Sequence, residues 1–327
     1  MSEKTVLILT DESDRTADRV AAELDLRGTP VARLDAAWFP AAVRLTARIG
    51  AGRPWSGRVA DISTDRRLVD LSDVAGVYYR RPTQFTVDER MSGPERLFAY
   101  AEARRGFGGV LQALAGCLWV NDPVAAARCE YKPVQLAAAT VCGLRIPETI
   151  ITSDPRQAHA WASRLGRPII YKPLGGIWHA DEGQVRVLYT APVEDPDELL
   201  DEALATTAHL FQERIQKTVE ARAVVVGERI FATAIDAHSD RARVDWRSDY
   251  DALTYRIIDL PGEVATGLVE LHRRLGLGYG AADLICDESG RWYFLETNQA
   301  GEWGWLADAA GVEIAVALAD LLTASSR

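Results

Sequence analysis

Short apolar runs alternate with amphipathic stretches along the first third of the chain. Residues 6–9 and 74–79 are mostly apolar, as buried strands are, whereas 15–26 and 94–115 carry apolar positions at helical spacing. Strands that alternate with helices predict an α/β layer structure. We place a first domain boundary near Asn121, where an apolar strand ends.

The alternation continues beyond this boundary and then gives way to longer strands. Residues 123–142 predict one helix, and 220–235 predict a strand pair that turns at Gly227. Two apolar segments joined by a turn at 287–290 predict a C-terminal hairpin. The chain is therefore α/β in class, with α+β character, and its predicted domains are 1–121, 122–212 and 213–327.

Composition narrows the class of protein. The 327 residues are enough for two or three domains, and the net charge of −10 argues against non-specific binding to nucleic acid. The four cysteines lack the spacing of a zinc site or a disulfide framework, which fits a reducing cytoplasm. We see no signal peptide and no apolar run near the roughly 20 residues of a membrane span, so we expect no membrane partner.

Three oxygen-bearing side chains fall on the predicted C-terminal hairpin. Glu296 and Asn298 are two residues apart in a strand and so share a face, and the partner strand can place Asp283 beside them. Mg²⁺ takes oxygen ligands and usually shares them with nucleotide phosphates, so this set predicts a metal site. The alternative is that these side chains are merely solvated at a hairpin end.

Two lysines and a glycine-rich loop are candidates for binding phosphate. Lys132 lies near the start of a predicted helix, and Lys172 ends a short apolar strand. The loop at 175–183 follows Lys172 and could lay backbone N–H groups over phosphates. Lys172 could instead be a strand-end lysine with its charged head in solvent.

Arginines form a second group of candidates. Arg80 and Arg81 follow the apolar strand at 74–79, and a planar guanidinium suits a carboxylate or an acylphosphate. Asp245 and Arg247 are two residues apart, so we expect them on one face of a strand. Arg247 could stabilise developing negative charge, and Asp245 could orient it or accept a proton. A purely structural Asp–Arg pair is the alternative.

From about Asn121 to the C-terminus the chain resembles the ATP-grasp superfamily. More narrowly it resembles the ATP-grasp ribosomal peptide maturases, which make microviridin-like graspetides, and this second resemblance extends into the N-terminal segment. The wider resemblance rests on Lys132, Lys172, Phe211-Gln212-Glu213, Glu220-Ala-Arg222, Asp283 and Glu296-Thr-Asn298. The narrower one rests on Tyr78-Tyr79-Arg80-Arg81-Pro82, Asn121-Asp-Pro123, Asp245-Trp246-Arg247 and Gly301-Glu302-Trp303-Gly304-Trp305-Leu306. The sequence departs from the family at Asn298-Gln299, where Asn-Pro is usual.

The resemblance implies a fold and an activity. The fold would have an N-terminal α/β pre-ATP-grasp domain, with a central and a C-terminal domain that clasp ATP. The enzyme would activate Asp or Glu side chains of a ribosomal precursor peptide, made of leader and core, as acylphosphates. It would then form ester or amide crosslinks, as an ADP-forming ligase and a homodimer.

The resemblance also assigns residue roles. Lys132 and Lys172 would bind the α- and β-phosphates, Arg222 would face the γ-phosphate, and one or two Mg²⁺ would be held by Asp283, Glu296 and Asn298. Arg247, Asp245, Arg80 and Arg81 would serve the substrate carboxylate or its acylphosphate. Adenine and ribose would contact Gln212, Glu213, Arg214, Ile215 and Glu220.

Two other functions stay open on the sequence alone. One is an ATP-grasp ligase that adds an amino acid to a peptide or protein C-terminus, and the other is a nucleotide-binding module without turnover. For a macrocyclase, the acidic stretch 181–202 is a candidate docking site for a basic leader segment. A solvated acidic helix start is the alternative for that stretch.

Overall fold

The computed structural model describes residues 4–64, 66–175, 178–181, 184–187 and 189–324, with side chains described outside 176–188. Within these residues, no helix is long and apolar enough to cross a membrane. Parts of the glycine-rich loop 175–183 and of the acidic stretch 181–202 lie outside the described residues. The phosphate-covering loop and the leader-docking stretch therefore stay predictions.

A parallel sheet organises the N-terminal part. The elements here are β1 (Thr5–Leu9), α1 (Arg15–Leu26), β2 (Val31–Leu34), β3 (Val43–Gly50), β4 (Arg53–Asp61), β5 (Arg67–Asp70), β6 (Val74–Tyr79), α2 (Gly93–Ala103), α3 (Gly109–Gln112) and β7 (Leu118–Val120). The parallel sheet has the order β2–β1–β6–β7. Helix α1 begins after Asp14, whose carboxylate accepts hydrogen bonds from the N–H groups of Thr16 and Ala17.

Two N-terminal predictions need correction. Residues 43–49 alternate apolar and polar positions and so predict one half-buried strand, but this strand belongs to an antiparallel sheet, β3–β4–β5, in which the chain turns back after β3 and again after β4. The helix predicted over 94–115 is interrupted by a π-helical segment, Arg104–Gly108. This segment contains two glycines, which weaken regular helix, and α3 ends at Gln112.

The central part is built on an antiparallel sheet in the order β12–β9–β13–β8. Its elements are α4 (Pro123–Cys129), α5 (Lys132–Val141), β8 (Thr149–Thr152), α6 (Pro155–Leu165), β9 (Ile169–Lys172), β10 (Trp178–Asp181), β11 (Gln184–Val187), β12 (Ala191–Val193) and β13 (His209–Glu213). The prediction of one helix over 123–142 was wrong, because the structure has two helices there, α4 and α5. Pro133 has no N–H to donate and its ring clashes with the carbonyl four residues earlier, so the helix breaks and restarts at Lys132.

The C-terminal part is a longer antiparallel sheet in the order β16–β15–β14–β17–β18. Its elements are β14 (Lys217–Val226), β15 (Arg229–Ala237), α7 (Asp240–Val244), β16 (Leu253–Ile257), α8 (Gly262–Leu275), β17 (Tyr279–Asp287), β18 (Trp292–Asn298), α9 (Gly304–Ala310) and α10 (Ile314–Thr323). Helix α8 buries Leu268 and Leu271 against one face of this sheet. Helix α10 packs Leu318 among residues of β1 and β6, so the C-terminal segment covers the N-terminal sheet.

Asp245 and Arg247 do not lie on a strand, contrary to the sequence prediction. Asp245 follows α7, and Trp246–Ser248 forms a 3₁₀ turn. The carboxylate of Asp245 accepts a hydrogen bond of 3.1 Å from the N–H of Arg247. A short polar side chain that bonds to the backbone two residues on favours a turn over a strand.

Candidate active site

A cavity of about 430 Å³ opens between the central and C-terminal sheets. It is lined by basic, acidic and apolar side chains from both sheets and from the turn after α7. The sequence-predicted residues that it brings together are Lys172, Gln212, Glu213, Arg214, Ile215, Glu220, Asp245, Arg247, Asp283 and Glu296. Lys132 reaches the same cluster through Glu296, to which its Nζ donates a hydrogen bond of 2.8 Å.

Strand register places the acidic pair at the centre of this cavity. Asp283 of β17 lies directly opposite Glu296 of β18, and Arg222 of β14 lies opposite Asp283. Arg222 Nη1 donates to Asp283 Oδ1 over 2.9 Å, and both side chains are buried. Directly paired residues on neighbouring strands point to the same face, so this sheet delivers two carboxylates and one guanidinium to one point.

Arg247 links the two carboxylates. Its Nη2 donates to Asp283 Oδ2, and also to Glu296 Oε1 over 3.0 Å. Burial alone would raise the pKa of Glu296, but Lys132, Arg247 and Lys172 outweigh it and hold the pKa well below its usual range. Glu296 is therefore ionised, and basic side chains hold both carboxylates in place.

The donor set fits Mg²⁺. Asp283 and Glu296 supply carboxylate oxygens, and Asn298, which is exposed and does not line the cavity, offers a carboxamide oxygen two residues along β18 from Glu296. Asn298 Oδ1 accepts a hydrogen bond of 3.0 Å from the N–H of Ala300, a contact that leaves its second lone pair free. The described residues hold no metal-binding cluster of three or more His, Cys, Asp or Glu side chains. Two carboxylates plus an amide oxygen suit a hard cation that keeps waters and phosphate oxygens as further ligands.

Lys172 lies at the end of β9, at the inner wall of the cavity. Burial lowers its pKa, whereas Glu296 acts to raise it. Its Nζ is 3.5 Å from Gln212 Oε1, and Gln212 Nε2 donates to Thr149 Oγ1 over 2.9 Å. Because the hydrogen bond to Thr149 fixes the amide nitrogen of Gln212, the amide oxygen of Gln212 points toward Lys172.

The outer part of the cavity is formed by the end of β13 and the segment that follows. Glu213 is buried and accepts a hydrogen bond of 2.7 Å from Arg167 Nη1, while the N–H of Arg214 donates to the carbonyl of Pro168. Glu220 lies deeper, 2.6 Å from Lys217 Nζ. Burial raises the pKa of Glu220, and Lys217 opposes that shift.

Trp246 packs between two of the candidate arginines. The guanidinium carbon of Arg222 is 5.7 Å from its ring centroid, and that of Arg247 is 5.1 Å away. Asp245 is buried, 3.5 Å from Arg247 Nη1, and accepts a hydrogen bond of 3.4 Å from the N–H of Thr190. The aromatic face and the carboxylate together fix the direction of Arg247.

Arg80 and Arg81 lie outside the lining of this cavity. Arg80 is buried, donates to Asp14 Oδ2 over 2.7 Å and lies 2.7 Å from Glu302 Oε1. Arg81 contacts the same oxygen of Glu302 at 2.5 Å. Both arginines do bind carboxylates, but those of the protein itself, between the end of β6 and the loop after β18.

Sequence reasoning missed several residues of the site. Lys217, Thr149 and Arg167 neutralise or orient Glu220, Gln212 and Glu213, and only Thr149 and Arg167 come from distant segments. Lys217 lies three residues before Glu220, which is the one sequence signal that could have suggested it. The missed residues are Thr149, Arg167, Lys217, Trp246 as a stacking surface, and Gln135.

Comparison with known proteins extends the resemblance to the whole chain. The MvdD pre-ATP grasp domain family matches residues 5–127. The chain is similar to the RiPP-associated ATP-grasp ligase of Chryseobacterium gregarium, solved in complex with ADP and a leader and core peptide. The two are 27% identical with a TM-score of 0.88, over 99% of this chain and 98% of that one.

Two further proteins are similar. Macrocyclase MdnC from Microcystis aeruginosa MRC, solved bound with precursor peptide MdnA, is 29% identical with a TM-score of 0.83, over 98% of this chain and 99% of that one. Alpha-aminoadipate–LysW ligase LysX of Sulfurisphaera tokodaii is 32% identical over 59 residues, which span only 18% of this chain and 21% of that ligase.

These matches confirm the fold expected from the sequence, a mixed α/β ATP-grasp structure with a pre-ATP-grasp domain. The boundaries at 121 and 212 and the individual site roles stay predictions. The N-terminal part of the chain therefore matches the MvdD pre-ATP grasp domain family, and over its whole length the chain has the fold of ATP-grasp ligases and is similar to those that mature ribosomal peptides.

Proposed function

We propose that the protein is an ATP-dependent peptide macrocyclase that joins Asp or Glu side chains of a precursor peptide to hydroxyl or amine side chains. The observation that carries the proposal is the cavity itself. Four basic side chains surround one acidic pair there, and the chain shares its whole length with MdnC and the Chryseobacterium ligase. The basic residues are Lys132, Lys172, Arg222 and Arg247.

The reaction has two steps, and each conserves atoms and charge. A substrate carboxylate oxygen attacks the γ-phosphorus of ATP, the bond to the β-phosphate oxygen breaks, and ADP leaves. A hydroxyl or amine of the same peptide then attacks the acylphosphate carbonyl, phosphate leaves, and a base takes the proton of the nucleophile. Phosphoryl transfer of this kind depends on positioning and charge neutralisation more than on covalent help from the protein.

The nucleotide would lie between the two sheets. Lys132 and Lys172 would hold the α- and β-phosphates, and Arg222 would face the γ-phosphate. Asp283, Glu296 and Asn298 would hold one or two Mg²⁺, which supply charge neutralisation at the β- and γ-phosphates when bound. The adenine and ribose contacts would come from Gln212, Glu213, Arg214, Ile215 and Glu220.

Arg247 and Asp245 would act on the second step. Arg247 is anchored beside the acidic pair, so its guanidinium can donate to an acylphosphate or to the oxyanion formed on attack. Asp245 is buried against it and would orient it or accept the proton of the nucleophile. Arg80 and Arg81 would reach the substrate only by releasing Glu302, so we assign them to the border of the peptide path.

The proposed partner is a ribosomal precursor peptide with leader and core, and the proposed setting is a homodimer in the cytoplasm. The acidic stretch 181–202 is the candidate for leader docking. Among its described residues, Asp195 caps a 3₁₀ turn and Asp197 contacts His159 at 3.0 Å. Asp197 remains three-quarters exposed, so it is available to a basic leader.

A second function is favoured by one observation. The short match to LysX, a ligase of alpha-aminoadipate and LysW, supports the alternative of an ATP-grasp ligase that adds an amino acid to a peptide or protein C-terminus. ADP release separates the two functions. We expect release with a peptide that carries Asp or Glu together with Ser, Thr or Lys, and none after the acids are changed to Asn or Gln. Release that required a free amino acid instead would favour the second function.

A further inference from the structure

We propose that Gln135 is a positioning residue that fixes Lys132 against the segment of β18 that carries Glu296 and Asn298. The proposal rests on the proposed function, since it gives Lys132 and Glu296 their roles toward Mg·ATP. It starts from an unusual feature of β18. This strand lies at the edge of its sheet, next to β17, so within the part of the chain that the structure describes its outer N–H and C=O groups have no strand partner.

The carboxamide of Gln135 takes the place of a neighbouring strand at one residue. Gln135 Oε1 accepts a hydrogen bond of 2.7 Å from the N–H of Thr297, and Gln135 Nε2 donates to the carbonyl of Thr297 over 2.9 Å. A side-chain amide has the same donor and acceptor as a peptide unit, so it can continue the ladder where the sheet stops. Thr297 is the residue between Glu296 and Asn298.

The same amide also joins α5, which begins at Lys132, to the preceding helix α4. Gln135 Nε2 donates to the carbonyl of Cys129 at the end of α4, over 2.5 Å. Gln135 lies three residues after Lys132 in α5, so both side chains project from one face of the helix. The distance between Lys132 Nζ and Glu296 Oε2, 2.8 Å, is thereby set by a rigid link one turn away.

Thr297 is held from a second side as well. His272 Nε2 lies 3.0 Å from Thr297 Oγ1, and His272 Nδ1 lies 2.7 Å from the carbonyl of Leu268. The site-bearing end of β18 is therefore fixed at its backbone by Gln135 and at its intervening side chain by α8.

A simple packing role does not explain Gln135. Its side chain is buried, at 4% exposure, and an apolar residue would fill the space without the cost of removing an amide from water. Its amide nitrogen instead donates to the carbonyls of Cys129 and Thr297, and its oxygen accepts from the N–H of Thr297. Groups that support metal ligands are known to change metal affinity 10–100-fold when removed.

The test uses Gln135→Met, which keeps the length of the side chain and removes its hydrogen bonds, with Leu136→Ala as the matched control. Leu136 is the next residue of α5 and is buried in the apolar core, so its loss weakens the packing of the helix but leaves the amide link. We expect Gln135→Met to weaken Mg·ADP binding about tenfold in titration calorimetry. We expect Leu136→Ala to leave it within about twofold at similar loss of stability.

A double-mutant cycle gives the readout that a structural role would not change. If Gln135 acts through Lys132, Gln135→Met should cost little further affinity in a Lys132→Ala background, whereas two independent effects would add. In the nucleotide-free protein, the amide hydrogen of Thr297 should exchange faster in Gln135→Met. Additive losses, or unchanged exchange at Thr297, would overturn the proposal.

Two controls keep the outcomes separable. If Gln135→Met fails to fold, Gln135→Glu keeps the acceptor for the Thr297 N–H and loses both donors, and the same cycle is run with it. If the unchanged protein binds no Mg·ADP, the proposed function is wrong, and exchange at Thr297 still decides whether Gln135 holds β18. Normal Mg·ADP binding with no coupling to Lys132 would reject the positioning role alone.

Discussion

Arg247 donates to carboxylate oxygens that we assign to Mg²⁺, so its positive charge competes with the metal for them. Its guanidinium bonds to both Asp283 and Glu296. We therefore predict that Arg247→Ala has opposite effects on two steps. Mg²⁺-dependent binding of ADP should become tighter, because a competitor of the metal is gone, while ring formation should become slower.

The magnitudes follow from the contacts. A net contribution of about 1.5–3 kcal/mol is usual for one hydrogen bond to a charged group. The Arg247 side chain is one-quarter exposed and lies 3.5 Å from Asp245. When Mg²⁺ displaces Arg247 from the acidic pair, contacts with solvent and with Asp245 therefore offset much of the free energy lost. We expect a net gain near 1.5 kcal/mol, or roughly tenfold in Mg·ADP affinity. Loss of one preorganised donor should slow ring formation roughly a hundredfold.

The assay pairs calorimetric titration of Mg·ADP with single-turnover ring formation. Arg243→Ala is the matched control, since Arg243 lines the same cavity but pairs with Asp240 at 3.1 Å and is mostly exposed. It removes the same charge without touching the acidic pair, and it should change neither quantity more than about twofold. Weaker Mg·ADP binding in Arg247→Ala, with normal chemistry per bound nucleotide, would refute the reasoning.

Three further predictions test other parts of the structure. Glu296→Ala should abolish Mg²⁺-dependent ADP release while circular dichroism stays unchanged, and near-normal release would remove Glu296 from the metal site. Burial lowers the pKa of His272 from 6.5 to about 4. The unfolded chain therefore binds the proton first as pH falls, and up to about 3 kcal/mol of stability should be lost between these values. The free energy of unfolding of His272→Gln, measured by urea denaturation at several pH values, should lack this loss. A variant whose stability falls with pH as steeply as that of the unchanged protein would contradict the assignment to His272. An added Cβ at Gly76 would lie 2.7 Å from the carbonyl of Leu322, so Gly76→Ala should lower the free energy of unfolding by about 2 kcal/mol. An added Cβ at Gly109 would meet no such neighbour within 4 Å, so Gly109→Ala should be neutral or stabilising. Equal melting temperatures for the two variants would argue against close packing of α10 on β6.

Much of the fold follows from local patterns. Residues 6–9 and 74–79 are buried on both faces, so their apolar runs predict strands directly. The sheet β3–β5 was largely missed because its strands are partly exposed and carry many polar residues. The break before Lys132 has a local cause in Pro133, yet the apolar pattern runs across it and conceals it.

The candidate site is predictable only where residues share a strand or a motif. The hairpin face placed Asp283 beside Glu296, as the register shows. The spacing of Asp245 and Arg247 was misinterpreted as a strand because two-residue separation also occurs in turns held by an Asp side chain. Gln135 has no sequence signal, since its partners are backbone groups of a strand 162 residues away.

The most direct measurement of the central proposal is the mass and ADP stoichiometry of one reaction. The unchanged protein is incubated with ATP, Mg²⁺ and an acidic precursor peptide encoded near its gene, and the peptide is examined by tandem mass spectrometry. We predict the loss of one water mass and the release of one ADP for each new bond, with fragmentation suppressed inside the ring. A peptide that gains the mass of an amino acid, or ADP release with an unchanged peptide, would contradict a macrocyclase.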